Sequence, residues 1–138
     1  MKVDVYNREQ ACKLIPDANK CFISIWTPLG DWSSELDYND SPIKTGWADT
    51  LKLTFHDVTY MGHKDWVLFN HDMARKIVMF IQKNINKNFV VHCDAGISRS
   101  VAVGCYLRDQ YGYELKLNAW PTDEHRNNLV YGTLMLYR

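Results

Sequence analysis

The sequence lacks the features of a membrane protein and of a nonspecific nucleic-acid binder. No apolar run approaches the roughly 20 residues of a membrane span. Residues 1–20 contain no apolar stretch behind basic residues, so we expect no secretory signal. Sixteen Lys and Arg residues balance sixteen Asp and Glu residues, whereas a nonspecific nucleic-acid binder carries a basic excess. We therefore expect no membrane partner, and the balanced charge argues against nucleic acid.

The four cysteines include no C-x-x-C pair, which argues against a zinc site built from cysteine. Four cysteines permit two disulfides, but nothing else in the composition is typical of a disulfide-dense secreted domain. We expect free thiols in a reducing, cytoplasmic setting, and neither a metal nor another cofactor. Cys12, Cys21 and Cys105 are interpreted as core or incidental thiols, and a resolving role toward Cys93 stays open as an alternative.

Length and periodicity predict one α/β domain over residues 1–138. The predicted strands are 3–6, 21–26, 51–55 and 89–92, and the predicted helices are 8–14, 63–85, 98–110 and 129–137. Asn7 is predicted to cap the first helix and Gly112 to end the third. A turn-rich stretch from 29 to 49 separates two of the strands. This order predicts a central, mostly parallel sheet of four or five strands, flanked by helices.

The stretch from His92 to Ser100 combines residues suited to phosphate chemistry and lies between a predicted strand and a predicted helix. The strand delivers Cys93 to the carboxyl edge of the sheet, where open α/β folds bind ligands. The helix that follows offers free N–H groups and a dipole that favour an anion. Gly96 permits backbone geometry that a Cβ would hinder, and the Arg99 guanidinium matches two phosphate oxygens.

These features predict a nucleophilic cysteine inside a phosphate-binding loop. The loop consists of Asp94, Ala95, Gly96, Ile97, Ser98 and Arg99. Arg99 and the N–H groups favour the thiolate of Cys93, which is the reactive form. His92 is a candidate to orient the loop by hydrogen bonding. Ser100 is a candidate to donate a hydrogen bond to the sulfur and so to improve it as a leaving group.

The pattern H-C-x-x-G-x-x-R-S resembles the signature of the cysteine-dependent protein tyrosine phosphatase superfamily at every fixed position. The chain length is similar to that of the small dual-specificity phosphatases. The resemblance implies a protein tyrosine phosphatase-like fold and metal-independent hydrolysis of phosphomonoesters through a cysteinyl-phosphate intermediate. The implied partners are phosphotyrosine, and also phosphoserine or phosphothreonine, in proteins or peptides. Related families act on RNA 5′-phosphates and lipid phosphates, so those substrates stay open.

The resemblance also implies an aspartate general acid some thirty to forty residues before the cysteine. Asp57 lies 36 positions before Cys93 and directly follows the predicted strand 51–55. Asp65 and Asp72 are rivals by spacing, but both fall within the predicted helix 63–85. We therefore assign the acid to Asp57.

The sequence departs from the family after Gly112, where residues 117–130 are short and irregular. Asn127 and Asn128 are both candidates for the polar residue that places the hydrolytic water. Asp94 is acidic and the loop contains no lysine, which argues mildly against a highly anionic substrate. The abbreviated C-terminal region keeps a phosphoprotein-binding module with weak or no turnover as an alternative. Among the other aromatic residues, Trp32, Tyr38 and Trp47 either form a wall beside the pocket or anchor the long loop to the sheet.

Overall fold

The computed structural model describes residues 1–28 and 41–137, and a single parallel sheet organises these residues. The strands are β1 (Lys2–Tyr6), β2 (Lys20–Trp26), β3 (Asp49–Thr54), β4 (Asn88–His92) and β5 (Glu114–Leu117), and the helices are α1 (Arg8–Cys12), α2 (His71–Lys83), α3 (Arg99–Tyr111) and α4 (Asn128–Leu134). The strand order is β3-β2-β4-β1-β5, and all neighbouring strands run parallel. The predicted α/β class is confirmed, and the architecture is consistent with a protein tyrosine phosphatase-like fold. Within the described ranges, no helix is long and apolar enough to cross a bilayer.

The two faces of the sheet carry separate apolar clusters because side chains alternate along each strand. Ile23 and Val91 belong to the larger cluster, which α2, α3 and α4 cover. Phe22 and Val90 point to the opposite face and pack with Ala11 of α1. Both faces of the central strands are therefore buried, as expected for a parallel sheet.

Helix α2 is shorter than the predicted helix 63–85, because it begins at His71 and ends at Lys83. The Asn70 side chain accepts a hydrogen bond from the backbone N–H of Met73 at 2.9 Å and so fixes the first turn. Asp65 consequently lies in the irregular segment before the helix, and its placement in a helix was wrong.

Strand β5 was not among the predicted strands. It has four residues and only two apolar positions, too few for alternation to stand out in the sequence. Pairing with β1 stabilises it, with Leu115 opposite Val3 and Leu117 opposite Val5. The sheet therefore has five strands, the upper end of the predicted range.

Helix α3 is buried along most of its length and lies close to the sheet. A Cβ on Gly104 would approach Leu115 Cδ1 to 2.7 Å and Val5 Cγ2 to 2.9 Å, so glycine permits this close packing. The helix ends at Gly112, whose φ of +73° is the left-handed conformation expected of a C-cap. The predicted cap is confirmed, as is the Asn7 cap of α1, which forms a capping box with Gln10.

All five strands are parallel, so their carboxyl ends lie along one edge of the sheet. The residues that follow these ends include Asn7, Thr27, Phe55, Cys93 and Asn118. Open α/β sheets bind ligands at this edge.

Candidate active site

Cys93 lies at the base of a loop between β4 and α3, and only 2% of its surface is exposed. Its Sγ accepts a hydrogen bond from the backbone N–H of Gly96 at 3.2 Å. The hydroxyl of Ser100 lies 3.0 Å from the same sulfur. When the sulfur carries negative charge, both groups act as donors to it. The predicted contact between Ser100 and the sulfur is therefore present.

Gly96 allows the loop to pack against the turn between β1 and α1. Its φ is +71°, and a Cβ there would lie 2.7 Å from the backbone nitrogen of Asn7 and 2.8 Å from the carbonyl carbon of Tyr6. The backbone N–H of Arg8 donates to the carbonyl of Asp94 at 3.2 Å across the same turn. The loop thus requires glycine here for conformation and for space.

Arg99, the first residue of α3, is 4% exposed and is held on one side by protein oxygens. Its Nη1 donates to the carbonyl of Phe55 at 2.6 Å and to Thr27 Oγ1 at 3.1 Å. Its Nη2 donates to Asp94 Oδ2 at 3.0 Å. Three of its five N–H donors are engaged in this way. Among the described residues, the buried Nε has no hydrogen-bond partner. A buried donor of this kind is costly unless an acceptor reaches it.

The acidic loop residue Asp94 braces Arg99. Its Oδ2 also accepts hydrogen bonds from Thr27, from the hydroxyl at 2.6 Å and from the backbone N–H at 3.2 Å. Sequence reasoning did not find Thr27 or the Phe55 carbonyl. Both directly follow strand ends, but a threonine hydroxyl and a main-chain carbonyl carry no recognisable motif.

Asp57 contacts the predicted phosphate-binding loop through Ser98. The Ser98 hydroxyl donates to Asp57 Oδ1 at 2.7 Å, and Asn127 Nδ2 donates to the same oxygen at 2.9 Å. With both donors on Oδ1, a proton on this carboxyl is favoured on Oδ2. Ser98 occupies the N-cap position of α3 but makes no side-chain cap bond, so the N–H groups of the first turn keep their capacity for an anion.

Asn127 is the member of the Asn127–Asn128 pair that reaches Asp57. It is buried, and it caps α4 by accepting from the backbone N–H of Val130 at 3.1 Å. Its Nδ2 also donates to the carbonyl of Val58 at 3.2 Å, beside the bond to Asp57. Asn128 is exposed as the first residue of α4.

His92 supports the loop from beneath. Burial lowers the pKa of His92 to about 4, so its ring is neutral at ordinary pH. The ring Nδ1 donates to the carbonyl of Cys93 at 3.1 Å, because a carbonyl can only accept. The Nε2 therefore accepts from the Ser24 hydroxyl at 2.5 Å, and Ser24 accepts from Ser41 at 2.5 Å. The predicted role of His92 in orienting the loop agrees with these contacts.

The two rival acids lie elsewhere. Asp65 pairs with His63 on the segment before α2, and Asp72 pairs with Arg75 in the first turn of α2. Of these three aspartates, Asp57 is the one whose described contacts include the predicted phosphate-binding loop.

The structure also describes the remaining loop residues and the three other cysteines. Ala95 is exposed and Ile97 is half-buried, so both contribute backbone to the loop. Burial raises the pKa values of Cys21 and Cys105, as expected of core thiols. Cys12 is exposed.

Of the three aromatic residues predicted either to form a wall beside the pocket or to anchor the long loop, the structure describes Trp47. Trp47 packs edge-on against Phe22, with ring centroids 4.8 Å apart, and therefore anchors its segment to the sheet. Trp32 and Tyr38 lie outside the described residues. In the described part of the chain, no group of three His, Cys, Asp or Glu side chains is arranged to hold a metal ion.

Comparison of the chain with protein-family models, with curated proteins and with solved structures found no match.

Proposed function

We propose that the protein is a phosphomonoester hydrolase that forms a cysteinyl-phosphate intermediate. The observation that carries this proposal is the buried Arg99 side chain, whose Nε has no hydrogen-bond partner among the described residues and which ends the loop that begins directly after the buried thiol of Cys93. A tetrahedral oxyanion satisfies such a donor, and the first N–H groups of α3 add to its binding. The resemblance to the tyrosine phosphatase signature supports the same chemistry.

In the first step, the Cys93 thiolate attacks phosphorus and an S–P bond forms as the P–O bond to the leaving group breaks. Asp57 transfers its proton from Oδ2 to the departing oxygen. Arg99 and the loop N–H groups bind the equatorial oxygens, where charge is held in the transition state.

In the second step, water attacks the phosphocysteine and the S–P bond breaks. Asp57, now a carboxylate, takes a proton from the water, so inorganic phosphate leaves and the acid is restored. Ser100 donates to the sulfur and stabilises the departing thiolate. Asn127 and Ser98 hold Asp57 in place through both steps. The cationic guanidinium supplies the charge stabilisation, so we propose that the reaction needs no metal.

We propose phosphorylated proteins or peptides as substrates, in a cytoplasmic location that keeps Cys93 reduced. Phosphotyrosine is the first candidate, with phosphoserine or phosphothreonine as further candidates. The zero net charge of the chain disfavours RNA ends.

The test is hydrolysis of para-nitrophenyl phosphate as a function of pH, with EDTA and fresh reductant. We expect a bell-shaped profile for wild type, because the thiolate and the protonated acid must coexist. Cys93→Ser should abolish turnover, whereas the matched variant Cys12→Ser removes an exposed thiol and should retain it. Turnover by Cys93→Ser, or strict metal dependence, would refute the mechanism. Absence of turnover by folded wild type would favour the phosphoprotein-binding alternative.

A further inference from the structure

Strand β5 is one edge of the sheet, and among the described residues no further strand lies beyond it. The backbone N–H groups of Glu114 and Asn118 donate to carbonyls of β1, each at 2.9 Å. Successive residues of a strand direct their backbone groups to opposite sides, so the N–H and carbonyl of Leu115 point away from β1. Backbone groups of this kind are a template for pairing with another strand.

A cavity of about 480 Å³ lies beside β5 on the face that α3 covers. Leu115 and Leu117 line it, together with Arg108 of α3 and the segment 121–123. Both leucines are half-buried and also pack against the core. Side chains of paired strands lie next to each other on a shared face, so a strand added outside β5 would place its own side chains in this cavity. The cavity therefore favours a strand with apolar residues at alternate positions.

The opposite face of β5 carries two unlike charges, Glu114 and Lys116, and both side chains are exposed. Their neighbours on β1, Lys2 and Asp4, lie 4.0 Å from each other. Within the described residues, neither Glu114 nor Lys116 forms an ion pair. A lysine on a short edge strand discourages pairing with another chain, so the added strand must offset the charge of Lys116.

A second copy of this chain meets both requirements. When two β5 strands lie antiparallel with Leu115 at a twofold axis, the outward N–H and carbonyl of each Leu115 bond to those of the other. Glu114 of each copy then lies opposite Lys116 of the second copy, which gives two pairs of opposite charge. With Lys116 at the axis instead, two like charges would lie opposite each other, so the register through Leu115 is favoured.

We propose that the protein forms a twofold homodimer in which two β5 strands pair antiparallel through Leu115 and extend the sheet from five strands to ten. The two cavities meet at the axis, where Leu115 and Leu117 of both copies pack together. Such an interface uses the same surface on both copies, as in most homodimers. Four-residue strands bury a small surface, so we expect a reversible dimer with a Kd of about 1–100 μM. The inference does not depend on the proposed hydrolase.

The test is sedimentation equilibrium of the full chain over a concentration series, with circular dichroism to establish that each variant is folded. The mass of wild type should rise from 16.2 kDa toward twice that value. Lys116→Glu and Glu114→Lys each place like charges opposite each other at two positions and should raise the Kd at least about tenfold. Lys76→Glu makes the same change of charge on the exposed surface of α2 and should dimerise as wild type does.

Mixing the two charge variants distinguishes this interface from any other. Lys116→Glu carries two acidic residues on β5 and Glu114→Lys carries two basic ones, so a heterodimer has two opposite-charge pairs again. With a fluorophore on one variant, sedimentation should show association of the mixture with a Kd near that of wild type.

A wild-type mass that stays at 16.2 kDa up to about 500 μM would overturn the dimer. A dimer whose Kd is unchanged by either charge reversal would overturn this interface. Folded charge variants that fail to associate with each other when mixed would also overturn it.

Discussion

At Gly96 two independent restraints disfavour a side chain, namely a left-handed backbone and contact with the backbone of Tyr6 and Asn7. We predict that Gly96→Ala lowers the free energy of unfolding by about 2–4 kcal/mol, from strain and overpacking together. It should also lower kcat/KM for para-nitrophenyl phosphate by at least about tenfold, because the displaced loop misplaces its N–H donors. Urea unfolding and steady-state kinetics on the same preparations would measure both effects.

Gly112 provides the matched control. Its φ of +73° is nearly the same, but an added Cβ would have nothing within 4 Å. Gly112→Ala should therefore cost only about 1–2 kcal/mol of stability and leave activity intact. Full activity in folded Gly96→Ala would contradict the account of the loop.

Single residues of the candidate site differ in how well the sequence predicts them. Cys93 and Arg99 stand at fixed spacing in one segment, so their proximity follows from local geometry. Thr27 and Asn127 are distant in sequence from the residues they bind, and they contact Arg99 and Asp57, respectively, only after the sheet and α4 are assembled. Threonine and asparagine side chains are common throughout proteins and mark no motif by themselves. Only the tertiary structure shows what these two residues contact.

Among the elements, the segment between β3 and α2 carries the proposed acid, Asp57. Two hydrogen bonds between His56 and Val67 join the two ends of this segment. The backbone N–H of His56 donates to the carbonyl of Val67 at 2.8 Å, and its Nδ1 accepts from the Val67 N–H at 2.8 Å. Burial, followed by the charge of Arg99, holds the pKa of His56 below its ordinary value, which keeps Nδ1 available as an acceptor at neutral pH.

We predict that His56→Ala lowers kcat/KM for phenyl phosphate by about tenfold and lowers that for para-nitrophenyl phosphate by a clearly smaller factor. The reason is that a poor leaving group depends strongly on the proton from Asp57, whereas nitrophenolate, whose negative charge is delocalised into the nitro group, depends on it less. His56→Asn retains an acceptor near Nδ1 and should recover part of the loss. Equal losses on the two esters would show that His56 does not act through the acid.

Elements were predictable where periodicity was long or a cap was strong. The buried α3 and its Gly112 cap follow from the sequence, whereas the predicted helix 63–85 began before the Asn70 cap at which α2 starts. Strand β5 depends on pairing with β1, a long-range contact that no local window contains. Local propensity is a weak guide where tertiary contacts decide the structure.

In the whole molecule, the candidate site is built from segments that follow several separate strands, so a bound anion would link distant parts of the chain. Ligands that bind only the folded state raise its stability by mass action. We predict that inorganic phosphate at a hundredfold excess over its Kd raises the free energy of unfolding by about 2.7 kcal/mol. Urea unfolding at constant ionic strength, with chloride replacing phosphate, would measure the increase.

Three variants distinguish stabilisation by phosphate bound at the site from the general effect of phosphate on the free energy of unfolding. Arg99→Lys loses the planar guanidinium and should lose most of the increase, whereas Cys93→Ser keeps the donors and should retain it. Arg75→Lys makes the same substitution on the exposed face of α2 and should behave as wild type. Phosphate also stabilises proteins by exclusion from their surfaces, and that effect would be equal in all four proteins. An equal increase in wild type and Arg99→Lys would therefore remove Arg99 from anion binding, and with it the observation on which the proposed hydrolase depends.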